Sequence, residues 1–129
     1  MYLRFVSSQQ DAASHSLVGV FTHAYDIRDT AELEQHEVET LERALDWFRM
    51  HLKIPPVLKE PGNERAICWF KPAAKRPLEY AWQLVHLLRE RGIEIELTKT
   101  RDPGTILYED GWQIVAKPHK KDRLRTPRS

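Results

Sequence analysis

The chain has little cysteine, little glycine and no long apolar run, and each shortage excludes a class of protein. Cys68 is the only cysteine in 129 residues, so neither an internal disulfide nor a cysteine-based zinc site is expected. Only five glycines are present, and they form neither a phosphate-binding loop nor a G-x-S-x-G motif. No stretch approaches the roughly 20 apolar residues that cross a bilayer. The sequence therefore predicts a protein without a membrane span, a bound metal or a cofactor.

Composition and length indicate one globular domain. Of the 129 residues, 41% are hydrophobic and 30% are charged, which is sufficient to bury a core without disulfides or metals. The N-terminus MYLRFVSSQQ becomes polar too early for the apolar region of a secretory signal, so we expect a cytoplasmic protein. We assign residues 1–118 to a single α+β domain and residues 119–129 to a basic, disordered tail.

Charge is unevenly distributed along the chain. The net charge is +1, but residues 117–129 carry six basic residues against Asp122 and hence +5. The remaining residues carry −4, so a mildly acidic body precedes a strongly basic tail. The basic residues of the tail are Lys117, Lys120, Lys121, Arg123, Arg125 and Arg128.

Residues 36–52 have the clearest helical pattern in the chain. Their apolar positions recur at helical spacing, and Pro55 and Pro56 stop the helix. The apolar stripe comprises Val38, Leu41, Leu45, Phe48 and Leu52, and we expect Glu37, Glu39, Glu42 and Arg43 on the exposed face.

Two further segments are predicted to be helical. The first covers residues 77–91, with Pro77 suited to the first turn and Gly92 to the end. The second covers residues 17–28, where β-branched residues and a glycine oppose a helix but the apolar spacing supports one. We favour a short helix there, capped by Ser16.

The last third of the chain has the pattern of three antiparallel strands joined by two tight turns. Residues 93–98, IEIELT, alternate apolar and polar as a strand with one buried face does. Residues 102–104 turn the chain into TILYE, residues 105–109. Asp110-Gly111 then predicts a type I′ hairpin, because both of its central positions need a positive φ, and residues 112–116 form the third strand.

Two earlier segments complete the predicted sheet. Residues 2–7 form a strand in which Leu3 and Phe5 share one face, and residues 65–71 form a short apolar strand. We predict an α+β fold in which a small, mainly antiparallel sheet packs on two or three helices. In this arrangement the strand at 2–7 pairs beside the terminal hairpin.

Nucleic-acid binding is one functional hypothesis. The tail has the basic density that releases counterions from a phosphate backbone. The segment at residues 65–76, RAICWFKPAAKR, interleaves bases with Trp69 and Phe70, and single-strand binders combine stacking aromatics with bases in this way. Against it, the body is acidic, and Trp69 and Phe70 lie in an apolar run that favours the core.

An enzyme is the second hypothesis and has less support. His23, Asp26 and Asp29 converge if a helix carries all three, and such a trio binds metals or transfers protons. Acidic residues near the end of a helix more often face water, however. Cys68 lies between apolar residues and is most simply a small buried hydrophobe.

A binding protein is the third hypothesis. Four tryptophans and four tyrosines are a high number for a chain of this length, and aromatic residues dominate the energetics of interfaces. Trp47 lies at the edge of its helical stripe and either projects onto the surface or packs in the core. The free edges of the sheet offer a second route, pairing with another chain or another copy.

Four motifs together resemble a family of small uncharacterised bacterial proteins with no assigned function. The motifs are GVFTHAYDIRD, LDWFRMHLKIP, ERAICWFK and TRDPGTILYEDGWQIVAKP, and the similarity covers most of residues 1–118. The resemblance implies a bacterial or phage cytoplasmic setting, and it supplies no catalytic residue or cofactor to carry over to this chain. At the level of fold alone, the predicted topology is also similar to small toxin ribonucleases, which are more basic than this body.

We therefore predict a non-enzymatic binding protein whose partner is another protein or a second copy of itself. The alternative is nucleic-acid association through the basic tail and residues 65–76, and a small ribonuclease-like enzyme comes third. The candidate binding residues are Arg65, Trp69, Lys71 and Arg101. Arg65 and Lys71 flank the apolar strand that contains Trp69, and Arg101 sits at a turn near the end of the sheet.

Overall fold

The computed structural model describes residues 1–10 and 17–119. This part of the chain contains an antiparallel sheet of six strands and three α-helices, so the predicted α+β class is confirmed. In chain order the elements are β1 (Tyr2–Gln10), β2 (Leu17–Gly19), α1 (Val20–Thr30), α2 (Gln35–His51), a short 3₁₀ helix (Pro56–Lys59), β3 (Ile67–Phe70), α3 (Lys75–Glu90), β4 (Glu96–Thr100), β5 (Thr105–Glu109) and β6 (Gln113–Lys117).

Helix α2 forms where the apolar stripe predicts it. It begins after Glu34, whose side chain accepts the backbone N–H of Glu37 while the Glu37 side chain accepts that of Glu34. This capping box satisfies N–H groups that a helix start leaves free. The prediction that Glu37 faces water is wrong, since only 8% of this residue is exposed. Its carboxylate also accepts two hydrogen bonds from Arg91, at 3.0 and 3.2 Å, which compensate the buried charge.

The segment predicted as one helix over residues 17–28 divides into a strand and a helix. Leu17–Gly19 forms β2, and α1 begins at Val20 with Gly19 as its N-cap. The predicted cap, Ser16, precedes this strand and lies outside the described residues, so a helix entering there is wrong. The physical reason is β1, which extends to Gln10 rather than ending at residue 7 and pairs with Leu17–Gly19. The predicted stripe holds within α1, where Val20 and Ala24 are buried.

Strand β1 organises the sheet because it pairs with three other strands. Leu3 lies between Lys99 of β4 and Phe70 of β3, which places β4 and β3 on opposite edges of β1. Farther along β1, Val6 pairs with Glu96 of β4 on one side and with Gly19 of β2 on the other, so β2 and β3 lie along the same edge of β1. Strand β3 continues to β6 and β6 to β5, and every pair is antiparallel.

The hairpin predicted around residues 102–104 does not form. Strand β4 covers Glu96–Thr100 and pairs with β1 at one edge of the sheet, whereas β5 pairs with β6 at the other edge. Strand β3 separates β1 from the terminal hairpin, so their predicted direct pairing is also wrong. A flat sheet with about 4.8 Å between strands would hold β4 and β5 about 19 Å apart. The five Cα steps from Thr100 to Thr105 span at most about 18 Å, so the sheet must curl.

The connection between β4 and β5 requires a glycine. Gly104 has a φ of 110°, and a Cβ atom there would overlap the carbonyl oxygen of Lys117. A second contact with the residues after β6 stabilises the connection: Nε2 of His119 lies within hydrogen-bond distance of Oδ1 of Asp102, at 3.0 Å. His119, which the sequence assigns to the tail, therefore contacts the connection between β4 and β5.

The β5–β6 hairpin forms as predicted, but its turn is of another type. Gly111 has no positive φ, so the prediction of a type I′ turn is wrong. The N–H of Asp110 donates to the carbonyl of Gln113 at 3.0 Å, and the Asp110 carboxylate accepts the N–H groups of Trp112 and Gln113. An aspartate at the first turn position stabilises the loop without left-handed residues.

The main core lies between the helices and one face of the sheet. Phe5 of β1 meets Trp82 of α3 edge to face, with 4.9 Å between ring centroids. Leu3 shares the face of Phe5, as predicted, and packs against the same core. The largest fully buried helix side chains in this core are Leu41, Leu45, Leu84 and Leu88. Within the described residues, no helix is long and apolar enough to span a membrane.

Candidate functional site

The sheet contains a gap at the edge that β2 and β3 share. Strand β3 pairs with β1 only through Phe70 and Leu3, and β2 joins β1 only from Val6 onward. Between these two contacts, at residues 4–5, β1 has no neighbour on this side among the described strands. Strands β2 and β3 therefore diverge from one another and leave a cleft between them.

The cleft has a volume of about 450 Å³ and lies between the gap in the sheet and the end of α2. Its walls include residues 17–22, residues 52–55 and residues 66–70, each as an unbroken run. A strand that borders a cavity with one face contributes every second residue. Because β3 contributes all of its residues, its edge borders the cleft.

The edge of β3 presents unpaired main-chain groups to this cleft. The N–H of Lys71 donates to the carbonyl of Trp112 of the neighbouring chain segment at 2.9 Å. Trp69, two residues earlier, lies opposite Ile114 of β6, so its main-chain groups point to the same side as those of Lys71. In an antiparallel pair, alternate residues point their N–H and C=O toward the neighbouring strand or away from it. The main chain of Cys68 therefore points away from β6, toward the cleft, and no described strand pairs with it on that side.

Arg4 extends from β1 into the gap. One of its guanidinium nitrogens donates to the carbonyl of Leu17 at 2.8 Å, and no carboxylate of the described residues pairs with it. A guanidinium has five N–H donors, so the described residues use only part of its capacity. Burial lowers the pKa of Arg4, and the nearby Cys68 opposes this shift. Among the described residues this half-buried cation has no counterion.

The side chain of Cys68 is exposed, which corrects the prediction of a buried hydrophobe. It shares the face of Phe70, but the helices that cover Phe70 leave this part of the strand open to the cleft. Desolvation by the surrounding walls raises the pKa of the thiol, and Arg4 only partly offsets the rise. The thiol is therefore protonated at neutral pH and is a poor nucleophile.

The described lining of the cleft is basic and contains no histidine or carboxylate side chain. Among the described residues that line it, three are cations, Arg4, Arg49 and Lys53, and none is an aspartate, glutamate or histidine. Arg49 pairs with Asp46 outside the cleft. Catalysis of proton transfer relies mainly on histidine and carboxylate side chains, and neither type is present in this lining.

The rim of the cleft carries exposed apolar side chains. Ile54 is 72% exposed and Leu17 is 41% exposed, and both line the cleft. Large apolar side chains that face water beside a concave site are typical of surfaces that bind partners. Trp69 also borders the cleft, and its buried indole N–H has no acceptor among the described residues.

The four predicted site residues do not form one cluster. Trp69 lines the cleft, whereas Arg65 lies just before β3 and Lys71 just after it, at opposite ends of the strand. Lys71 pairs with Glu109 of β5. Arg101 is exposed in the connection between β4 and β5. Of the four, only Trp69 is at the candidate site.

The segment 65–76 does not present the predicted stacking surface. Phe70 is buried in the core against Phe21 and Phe48, and Trp69 is half-buried. In the tail, Lys117 donates to the carbonyl of Gly62 at 2.7 Å. Lys120, Lys121, Arg123, Arg125 and Arg128 lie outside the described residues, so nucleic-acid binding by the tail stays a prediction.

The predicted trio around His23 does not assemble. His23 lies 2.7 Å from the hydroxyl of Ser7, and Asp29 pairs with Arg28 instead. Within the described residues no group of three histidine, cysteine, aspartate or glutamate side chains has the geometry of a metal site. Trp47, the predicted contact residue, is half-buried and stacks on Tyr80 with 4.6 Å between centroids. Its position favours packing within an aromatic cluster over projection to a partner.

No protein-family model, curated protein or solved structure matches this chain. The resemblance to small bacterial proteins therefore stays a prediction. No sequence pattern reveals this site, because its walls come from five separated segments of the chain. One local signal was available: Arg4 is a lone base within the apolar strand YLRFV, where a buried charge needs a partner.

Proposed function

We propose that this protein is a non-enzymatic binding module that holds a segment of a partner polypeptide in the cleft between β2 and β3. The observation that carries the proposal is the edge of β3, where the main chain of Cys68 faces the cleft and no described strand pairs with it. Polypeptides commonly recognise one another by adding to such an edge. The exposed rim residues Ile54 and Leu17 supply the apolar contact area.

Binding explains the lining better than catalysis does. The described lining lacks the histidine and carboxylate groups of acid–base enzymes, and the raised pKa of Cys68 opposes its use as a nucleophile. A cleft of about 450 Å³ is within the range of ligand pockets. A cytoplasmic location is part of the proposal, because an exposed single thiol stays reduced there.

The test is a selection of random 12-residue peptides displayed on phage against the full-length protein. We expect peptides whose affinity falls about tenfold in Ile54→Asp, since about 1.4 kcal/mol of lost apolar contact and added desolvation corresponds to that factor. Met50→Asp is the matched control, because Met50 is 78% exposed but does not line the cleft.

Two results would contradict the proposal. One is a selection that yields no peptide at all. The other is a set of peptides that bind both variants as tightly as the unmodified protein, which would place their site elsewhere on the surface. Far-ultraviolet circular dichroism of both variants checks that the fold is retained.

A further inference from the structure

We propose that the polypeptide segment held by the cleft is an extended, acidic strand that pairs with the main chain of Cys68 and places a carboxylate on Arg4. The inference rests on the proposed function and adds the conformation and the chemical class of the ligand. It follows from three features of the cleft: the free edge of β3, the excess of positive charge in the lining, and the unused donors of Arg4.

The shape of the cleft fits an extended chain. Residues 66–70 border it over about 13 Å, at about 3.3 Å for each step along a strand, which matches a short stretch of extended polypeptide. An added strand would supply an acceptor for the N–H of Cys68 and a donor for its carbonyl. A helix satisfies its own main-chain groups and would leave both of these unpaired.

The charges of the cleft select an acidic segment. The described lining contains three cations and no carboxylate, and Arg49 is already paired with Asp46. Arg4 is half-buried, donates one hydrogen bond to Leu17 and retains further N–H groups in the planar arrangement that matches a carboxylate. A carboxylate at this position removes the cost of an unpaired cation in the cleft.

The same charges argue against the basic end of this chain as the occupant. Residues 120–129 contain five basic residues against Asp122, so their entry would add positive charge beside Arg4. The segment is therefore expected to come from another polypeptide that carries apolar residues around an aspartate or a glutamate.

The experiment uses the peptides selected against the full-length protein, remade by synthesis. The first measurement is a double-mutant cycle between Arg4→Gln and replacement of the peptide's acidic residue by its amide. We expect each single change to weaken binding by about 10- to 100-fold, the range for hydrogen bonds between charged groups, and both together to cost little more than one. Arg4→Lys, which keeps the charge but loses the two-point geometry, should recover part of the affinity. Arg49→Gln is the matched control and should change binding less than about threefold, as exposed ion pairs contribute little.

The second measurement tests the conformation of the peptide. Methylation of single peptide amides should abolish binding at alternate positions only, because a strand turns every second N–H toward its neighbour. The single thiol provides an independent readout, since the bound peptide should protect Cys68 from alkylation by iodoacetamide. The side chain is exposed in the free protein.

The outcomes separate this inference from the proposed function. Peptides that depend on Ile54 but not on Arg4, or that are insensitive to their own acidic residue, would overturn the inference and leave cleft binding intact. Helical spacing of the sensitive positions would overturn the strand. A dimer in sedimentation equilibrium whose Cys68 is protected without peptide would assign the cleft to a second copy. Protection by sodium laurate, with no peptide selected, would assign it to an amphipathic acid and refute both proposals.

Discussion

Replacement of Gly104 by alanine is expected to destabilise the protein far more than replacement of two other glycines. Gly104 has a φ of 110°, and an added Cβ would overlap the backbone of Lys117. Gly62 has a similar φ of 91° but open space around it, and Gly111 has neither a positive φ nor a close neighbour. The three positions therefore separate the cost of conformation from the cost of steric overlap.

The magnitudes follow from these two contributions. A left-handed residue with a side chain costs about 1–2 kcal/mol, which is the expected loss for Gly62→Ala. Overpacking adds about 1–3 kcal/mol, so Gly104→Ala should lose about 2–5 kcal/mol in the free energy of unfolding. Gly111→Ala should remain within about 0.5 kcal/mol of the unmodified protein, as open surface positions do.

Urea unfolding followed by tryptophan fluorescence measures all three variants, and the chain has four tryptophans for the signal. The free energies of unfolding are compared between variants that show the same dependence of free energy on urea concentration. A changed dependence would indicate a changed denatured state. Equal losses for Gly104→Ala and Gly62→Ala would refute the reasoning. That result would mean that β4 and β5 are not held together by close approach of residue 104 to Lys117.

Three further predictions concern charge, packing and the thiol. The backbone N–H of Glu34 and the guanidinium of Arg91 lower the pKa of Glu37. The stabilising contribution of Glu37 is therefore present above the unfolded pKa of about 4.3 and is lost as pH falls through the lower folded pKa. The difference in unfolding free energy between the unmodified protein and Glu37→Gln should shrink over that pH interval, and a constant difference would contradict the pairing. Leu84→Ala should cost about 2–5 kcal/mol in the same urea assay, because a fully buried leucine leaves a cavity, and Glu79→Ala on the exposed face of the same helix is its control. Alkylation of Cys68 by iodoacetamide should be slower at neutral pH than that of a free cysteine, despite the exposure of the side chain, and should accelerate as pH rises; a rate equal to that of glutathione would show that the thiol pKa is not raised.

The helices could be predicted from the sequence because the information is local. The stripe over residues 36–52 and the bounding prolines determine α2, and the same kind of pattern with Gly92 determines α3. The boundary at β2 was missed because it depends on pairing with β1. Three residues, Leu17–Gly19, carry no strand pattern of their own. Turn residues 102–104 were recognised as a turn, but a turn does not specify which strands pair around it.

The candidate site could not be predicted for a related reason. Its main feature is a missing pairing between β3 and β1, and a sequence pattern shows where strands lie but not where two of them separate. Arg4 and Cys68 are 64 positions apart in the chain, and their proximity is a consequence of the Leu3–Phe70 contact. Trp69 was singled out for its aromatic ring beside bases, whereas its position on the edge of β3 is what places it at the cleft.

The pairing of β1 with β4 has a consequence for synthesis on the ribosome. Val6 and Glu96 are neighbours in the sheet, so this contact waits until 90 further residues have been added. At about 5–20 residues per second, the delay is on the order of 5–18 s. During that time β1 has β2 as a nearby partner, and one of its edges stays open to other chains. The edge of β1 that β4 covers is thus free until late in synthesis, and its closure by β4 is a late step of folding.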